Sequence, residues 1–95
     1  MPLKLTEGQI KGQIKAYLAV RHIFNYHNLQ ALGSYKGLPD RTMQLNGKVV
    51  YLEIKKPGAE LTPSELAFQE QCERDRVPYW VIRDVDELIK RLEEE

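Results

Sequence analysis

Apolar residues recur at helical spacing near the start of the chain, and this pattern predicts a helix over residues 6–20. Its inward face is formed by Ile10, Ile14, Tyr17 and Leu18. Thr6 and Gln9 have the spacing of a capping box, in which each side chain satisfies a backbone N–H of the other residue. The short stretch around residues 22–26 is rich in aromatic and β-branched residues, which predicts a strand.

A β-hairpin is predicted around Asn46-Gly47, the dipeptide that most strongly favours a two-residue turn. The turn joins strands over residues 42–45 and 48–55. A polar, glycine-containing segment over residues 28–39 precedes the hairpin. We expect this segment to form a loop that is available for contact with a substrate.

The turn determines which residues stand opposite each other in the two strands. If Leu45 faces Lys48, then Asp40 faces Glu53. One face of the hairpin then collects Met43, Leu45, Val50, Leu52 and Ile54. The other face collects Asp40, Thr42, Gln44, Val49, Tyr51, Glu53 and Lys55. A bulge or a longer turn would shift the register by one residue and place the two carboxylates on opposite faces.

The second half of the chain predicts a helix, a strand and a last helix. Residues 62–65 combine a threonine cap, a proline at the first helical position and a returning glutamate, so a helix is expected to run to about residue 76. Residues 77–83 supply a buried strand, and Asp84 begins a final helix. The predicted order is α-β-β-β-α-β-α, an α/β fold in a single domain over residues 1–95.

The composition fits one compact domain, because the 95 residues are 42% hydrophobic and 29% charged. Cys72 is the single cysteine, which excludes an intrachain disulfide and a zinc site built from cysteines. No apolar run reaches the roughly 18 residues of a membrane span, and we expect a soluble cytoplasmic protein. A domain this small has a thin stability margin, so association into a dimer would help it.

The net charge of zero conceals an uneven distribution. Residues 1–60 carry nine Lys and Arg against four Asp and Glu, whereas residues 61–95 carry five against ten. A polyanion would approach the first part of the chain, although proteins that bind no nucleic acid also show such a division. The charge distribution therefore permits nucleic-acid binding without requiring it.

Asp40 and Glu53 form the candidate chemical centre. Residues directly opposite in an antiparallel pair lie roughly 4.5 to 5.5 Å apart, and like charges placed so destabilise a sheet unless something offsets them. A divalent cation such as Mg²⁺ offsets them, because it binds carboxylates together with water and phosphate oxygens. Lys55 lies on the same face as Glu53, where an ammonium group could orient water or stabilise charge on a phosphate. This combination predicts hydrolysis of phosphodiesters.

These residues also have simpler explanations. Asp40 and Glu53 could be solvated strand ends, with Lys55 as their salt-bridge partner. Glu7 extends the inward stripe of the first helix and could point into the site, but the helix dipole also favours an acidic first turn. Glu65 could reach the site, yet its capping box is sufficient to explain it. We interpret His22, His27 and Cys72 as structural or incidental.

The string Gly37-Leu38-Pro39-Asp40, the tripeptide Glu53-Ile54-Lys55 and the helix opening Leu61-Thr62-Pro63 resemble the VRR-Nuc family of the PD-(D/E)XK nuclease superfamily. The resemblance spans nearly the whole chain, since the family also begins with a helix bearing a glutamate, matched here by Glu7. It implies a restriction-endonuclease-like αβββαβ core, with helices flanking a mixed central sheet, and here an additional C-terminal helix.

By this resemblance, Asp40 and Glu53 would bind Mg²⁺ or Mn²⁺ with the help of the Ile54 backbone carbonyl. Lys55 would position or activate the water, and Glu7 would support the metal site.

One position departs from the family pattern. The family usually has a glutamine in the second helix where this chain has Glu65. Glu65 could serve as an additional acidic ligand, or Gln69 one turn later could replace the missing amide.

Small members of the family, mostly bacterial or phage-borne, resemble structure-selective endonucleases that act as dimers on four-way DNA junctions. The resemblance therefore implies a homodimeric, Mg²⁺-dependent Holliday junction resolvase with a role in DNA repair or recombination, in the cytoplasm of a bacterium or a phage-infected cell. A two-fold dimer with two sites would match a junction that needs two cuts. The alternatives are a nuclease for flaps, splayed arms or single strands, a DNA-binding module without catalysis, and a purely structural or partner-binding domain.

Overall fold

The structure is a computed structural model that describes residues 4–95. Within that range the chain forms three helices and four strands in the predicted order α-β-β-β-α-β-α. The elements are α1 Glu7–Val20, β1 Asn25–His27, β2 Arg41–Leu45, β3 Lys48–Ile54, α2 Pro63–Arg74, β4 Tyr79–Ile82 and α3 Val85–Glu93. No helix in residues 4–95 is long and apolar enough to span a membrane.

The four strands form one mixed sheet in the order β1-β2-β3-β4. Strand β2 is antiparallel to both of its neighbours, β1 and β3, whereas β3 and β4 are parallel. The parallel pair requires a crossover connection, and helix α2 provides it. The chain is therefore a mixed α/β domain, as the sequence predicted.

The hairpin turn has the predicted geometry. Asn46 and Gly47 both have positive φ values, 51° and 82°, as a type I′ turn requires. The register follows from this turn, and it pairs Leu45 with Lys48 and Arg41 with Leu52. The predicted register is confirmed.

The core lies on one face of the sheet. Helices α1 and α3 pack over that face and are in contact with each other. The buried residues of this cluster are Ile10, Ile14, Leu18, Met43, Val50, Leu52, Ile54, Trp80, Ile82, Leu88 and Leu92. Helix α2 lies on the opposite face, where the ring of Phe68 stands 5.2 Å from the ring of Tyr51. The two faces of the hairpin are thus separated as predicted, with the polar residues on the α2 side.

The predicted helix starts are confirmed by their caps. Thr6 and Gln9 form one capping box, and Thr62 and Glu65 form a second. The Asp84 side chain accepts the backbone N–H of Glu87 at 2.8 Å and begins α3.

The largest differences from the predicted boundaries lie where a helix ends. The first strand begins at Asn25 instead of residue 22, because His22 adopts a positive φ of 57° and terminates α1. Helix α2 ends at Arg74 instead of residue 76, because Arg76 has a φ of 59°. In both turns the following residue donates its N–H to the carbonyl five residues back, Ile23 to Leu18 and Val77 to Cys72, as in a Schellman motif. Glycine usually occupies the positive-φ position, so the sequence lacked the usual stop signal.

The loop before β2 packs tightly against the start of α2 at Gly37. Gly37 has a φ of 81°, and a Cβ atom at this position would overlap the Ser64 carbonyl. We expect Gly37→Ala to lower the free energy of unfolding by about 2 to 4 kcal/mol, since strain and steric overlap act together. Gly33→Ala is the matched control, because Gly33 has a φ of 94° but open space around it. Chemical denaturation measures both variants, and equal losses would contradict the close approach at Gly37.

Candidate functional site

Asp40 directly precedes the first residue of β2, and the backbone of β3 holds its side chain in place. Alternate residues of β3 direct their backbone N–H and C=O groups towards β2, and the pair furthest from the turn is Arg41 with Leu52. Ile54 is the next residue of β3 with this orientation, but it lies beyond Arg41, the first residue of β2. The Asp40 side chain takes the place of a strand neighbour, because its Oδ2 accepts the Ile54 N–H at 2.8 Å. Since the N–H and C=O of a strand residue point to the same side, the Ile54 carbonyl also lies on the side of β3 that faces β2.

Glu53 is the most unusual side chain of the site. It is only 2% exposed, and its Oε2 atom has no hydrogen-bond partner within residues 4–95. Burial, followed by the negative charges of Asp40 and Glu65, raises the pKa of Glu53 to about 9. A buried carboxyl group with an unpaired oxygen costs stability unless something compensates it.

Lys55 and Glu65 form an ion pair beside this carboxyl group. The Nζ atom of Lys55 lies 2.8 Å from Oε1 of Glu65, and both side chains are largely buried. Oε1 of Glu65 also accepts the Thr62 N–H at 2.8 Å, so Glu65 caps α2 and contacts the site at once. The two explanations weighed for Glu65, capping and reaching the site, therefore both hold. The simpler explanation of Lys55 as the salt-bridge partner of Asp40 and Glu53 is wrong, because Lys55 pairs with Glu65.

The pKa values of this ion pair favour its charged form. Burial alone would lower the pKa of Lys55, but the hydrogen bond and charge of Glu65 outweigh burial and raise it. Burial alone would raise the pKa of Glu65, yet its hydrogen bonds with Lys55 and the Thr62 backbone lower it. Lys55 is thus a protonated hydrogen-bond donor at neutral pH.

Lys11 is a site residue that sequence reasoning missed. Its Nζ atom lies 3.1 Å from Oδ1 of Asp40 and 3.4 Å from Oε2 of Glu7. Burial alone would lower the pKa of Lys11, but Asp40 and Glu7 outweigh burial and raise it. Glu7 therefore stands at the edge of the site, linked to Asp40 through Lys11. The available signal was the spacing of four residues from Glu7, which places Lys11 one turn further along the same helix.

Tyr79 is a second residue that the sequence did not single out. Its hydroxyl group is buried and has no hydrogen-bond partner in the described part of the chain. Burial, followed by the charges of Glu53 and Glu65, raises the pKa of Tyr79. Alternation along β4 was the signal, because it places Tyr79 on the face opposite the buried Trp80. Gln69, the proposed substitute for the family glutamine, lines a small cavity together with Tyr79.

Comparisons with known proteins assign no family to this chain. A scan against protein-family models found no match, and searches of curated proteins and of solved structures found no significant match. The function must be inferred from the side chains around Asp40.

The donors of the site are oxygens. Within residues 4–95, no group of three or more His, Cys, Asp and Glu side chains is arranged to hold a metal ion. Asp40 and Glu53 contribute two adjacent carboxyl groups, and the strand geometry turns the Ile54 carbonyl to the side of β3 that faces β2. Carboxylate and carbonyl oxygens suit hard cations such as Mg²⁺, which also bind water and phosphate oxygens.

Removing the positive charge of Lys11 is expected to strengthen the binding of a divalent cation. The Lys11 ammonium lies 3.1 Å from Asp40, so it repels a second cation at that carboxylate. We expect Lys11→Ala to tighten Mn²⁺ binding by roughly 3- to 10-fold, corresponding to about 1 kcal/mol. Titration calorimetry with Mn²⁺ measures this change. Lys15→Ala is the control, since Lys15 is exposed one turn further along α1, and weaker Mn²⁺ binding by Lys11→Ala would contradict the expectation.

Proposed function

We propose that this chain is a metal-dependent DNA endonuclease with a restriction-endonuclease-like αβββαβ core. The observation that carries the proposal is the buried Oε2 atom of Glu53, which lacks a hydrogen-bond partner within residues 4–95 and stands beside Asp40. Two adjacent carboxyl groups in a buried place cost free energy in the absence of a cation. The order of elements and the mixed four-stranded sheet are compatible with this core.

Asp40, Glu53 and the Ile54 carbonyl would hold Mg²⁺ or Mn²⁺. A divalent ion would offset the charges of both carboxylates, and it would supply Lewis-acid activation of a phosphodiester and of water. The Ile54 N–H fixes one oxygen of Asp40 at 2.8 Å, which orients the carboxylate before any ligand binds.

Lys55 would act on the substrate as a fixed positive charge. Its ammonium group is oriented by Glu65 at 2.8 Å and stays protonated, so it can donate a hydrogen bond to a phosphate oxygen. Glu65 thereby acts as a positioning residue. Glu7 would support the site indirectly, because its carboxylate shares the Lys11 ammonium with Asp40 and offsets part of the repulsion between Lys11 and a bound cation.

The proposed substrate is branched DNA. The resemblance of the motifs around Asp40 and Glu53 to the VRR-Nuc family favours a homodimer that resolves four-way junctions. Flaps, splayed arms and single strands are the alternative substrates for the same chemistry. A junction is symmetric and requires two cuts, which a two-fold dimer would deliver.

A panel of end-labelled DNAs tests this proposal. Four-way junctions, flaps, splayed arms, single strands and linear duplex are each incubated with the protein in Mg²⁺, Mn²⁺ or EDTA. We expect cleavage of a branched DNA in Mg²⁺ or Mn²⁺ and none in EDTA. Paired symmetric nicks would support a resolvase, whereas cleavage in EDTA, or no cleavage of any DNA, would contradict the proposal.

A second candidate is a DNA-binding module without catalysis. The observation that favours it is the pairing of the chain's own lysines with two acidic side chains around the site, Lys11 with Asp40 and Lys55 with Glu65. These contacts neutralise charge without any metal. In that case the protein would bind the same DNAs equally well in Mg²⁺ and in EDTA and would yield no product.

A further inference from the structure

Two aromatic rings are exposed on the part of the sheet that α2 does not cover. Phe24 is 62% exposed and Tyr26 is 47% exposed. Their ring centroids are 6.0 Å apart in an edge-to-face arrangement. Neither residue belongs to the hydrophobic core, which lies on the other face of the sheet. Packing of the core therefore does not explain why these positions are aromatic.

The strand register places these rings on the face that carries the candidate site. Tyr26 stands opposite Thr42, and Thr42 stands opposite Tyr51. The ring of Tyr51 packs 5.2 Å from Phe68 of α2, which identifies this face as the α2 side. Directly paired residues share one face, so Tyr26 lies on that side as well.

Tyr26 is a near neighbour of Asp40. Asp40 precedes Thr42 by two residues and lies on the same face. The Asn28 N–H donates to the Asp40 carbonyl at 2.9 Å, so the ladder between β1 and β2 continues to Asp40. Tyr26 and Asp40 are thus diagonal neighbours across this pair, at about 7 to 8 Å.

The two residues that separate the rings from Asp40 are polar and uncharged. Asn28 and Thr42 lie between the rings and Asp40, and the Thr42 hydroxyl donates to the Asn28 Oδ1 at 3.0 Å. An exposed aromatic face with uncharged polar neighbours suits the flat, polar-edged surface of a nucleobase, because bases stack on aromatic side chains in single-strand binding sites. A phosphate at Asp40 would bring the base of the adjoining nucleotide within reach of Tyr26.

We propose that Phe24 and Tyr26 stack an unpaired or unstacked nucleobase next to the DNA phosphate that a divalent ion would hold at Asp40 and Glu53. The inference rests on the proposed nuclease function and adds the class of substrate, which is DNA with such a base beside the cut, at a single-stranded region or at the branch point of a junction. A base inside a continuous duplex is already stacked on both sides and is not available to these rings. The protein therefore distinguishes branched or single-stranded DNA from linear duplex at this surface.

Binding without cleavage tests the inference separately from the nuclease activity. Oligonucleotides that contain 2-aminopurine are titrated with the protein at low salt in Ca²⁺, which binds carboxylate and phosphate oxygens but replaces the Mg²⁺ or Mn²⁺ of the cleavage assay, as a single strand and as a fully paired duplex. We expect the 2-aminopurine fluorescence of the single strand to be quenched when wild-type protein binds. Tyr26→Ala should weaken single-strand binding by roughly 5- to 100-fold and leave duplex binding unchanged. Tyr26→Trp should keep the single-strand affinity of wild type. Val20→Ala is the control, since Val20 is 73% exposed at the end of α1.

Each outcome decides between the two proposals. If Tyr26→Ala binds the single strand as tightly as wild type, or loses single strand and duplex equally, the stacking inference is wrong. The same holds if the wild-type protein does not bind the single strand. If Tyr26-dependent binding is found but no DNA is cut in Mg²⁺ or Mn²⁺, the stacking surface stands and the nuclease proposal is wrong.

Discussion

Replacing Lys55 by alanine is expected to lower the rate of metal-dependent DNA cleavage by roughly 100- to 1,000-fold, the usual effect of removing one oriented donor from a reaction centre. Lys55 is kept protonated by Glu65 and is the cationic side chain next to Glu53. Since it is not a proposed metal ligand, the affinity for Mn²⁺ should fall little. Single-turnover cleavage and Mn²⁺ titration measure the two effects.

Lys56→Ala is the matched control for this prediction. Lys56 is the adjacent residue and is exposed, so its removal should leave the cleavage rate near that of wild type. Circular dichroism melting shows whether Lys55→Ala is folded at the assay temperature. A folded Lys55→Ala variant that cuts as fast as Lys56→Ala would show that Lys55 has no part in the reaction.

Glu53→Gln is expected to stabilise the protein in the absence of divalent ions. Glu53 is buried beside Asp40, and its Oε2 atom has no partner within residues 4–95. Glutamine has the same shape as glutamate but carries a neutral amide. It therefore avoids the free-energy cost of burying a carboxyl group, which must first take up a proton. We expect a gain of about 1 to 3 kcal/mol in the free energy of unfolding at pH 7, measured by denaturation in EDTA.

The gain should depend on pH in a defined direction. The pKa of Glu53 rises from its ordinary value of 4.5 to about 9 in the folded protein, so folding takes up a proton between these values. The contribution of Glu53 to stability is complete below about pH 4.5 and is lost as the pH rises towards 9. The difference in the free energy of unfolding between Glu53→Gln and wild type should therefore be small near pH 4.5 and grow as the pH rises towards 9.

Two controls accompany this variant. Glu60→Gln removes a carboxylate from an exposed position and should leave stability nearly unchanged at every pH. Mg²⁺ or Mn²⁺ should raise the melting temperature of wild type but not that of Glu53→Gln, because the variant loses a proposed ligand. A variant less stable than wild type in EDTA, or equally stabilised by Mn²⁺, would contradict the role assigned to Glu53.

The hairpin and the helix starts were predictable because short segments determine them. Asn46-Gly47 fixes the turn type, and the turn fixes the register from Leu45 and Lys48 onwards. The helix ends were less predictable. His22 and Arg76 occupy positive-φ positions that glycine usually takes, so the composition of these segments did not indicate the end of either helix.

The candidate site was predictable only as far as the register extends. Alternation along the strands places Asp40, Glu53 and Lys55 on one face, and the structure brings Asp40 and Glu53 together there. The contacts of Lys11 with Asp40 and of Lys55 with Glu65 depend on how α1 and α2 pack against the sheet. Local spacing does not contain that information, because packing of distant segments sets it.

The most direct test of the nuclease proposal is single-turnover cleavage of a labelled four-way junction by wild type and Asp40→Asn, side by side in Mn²⁺ and in EDTA. Asparagine can still accept the Ile54 N–H, so the variant removes the charge of the proposed ligand and keeps the strand contact. We predict paired nicks by wild type in Mn²⁺ alone and almost no product with Asp40→Asn. Equal cleavage by the two proteins, or cleavage that persists in EDTA, would contradict a metal-dependent nuclease centred on Asp40 and Glu53.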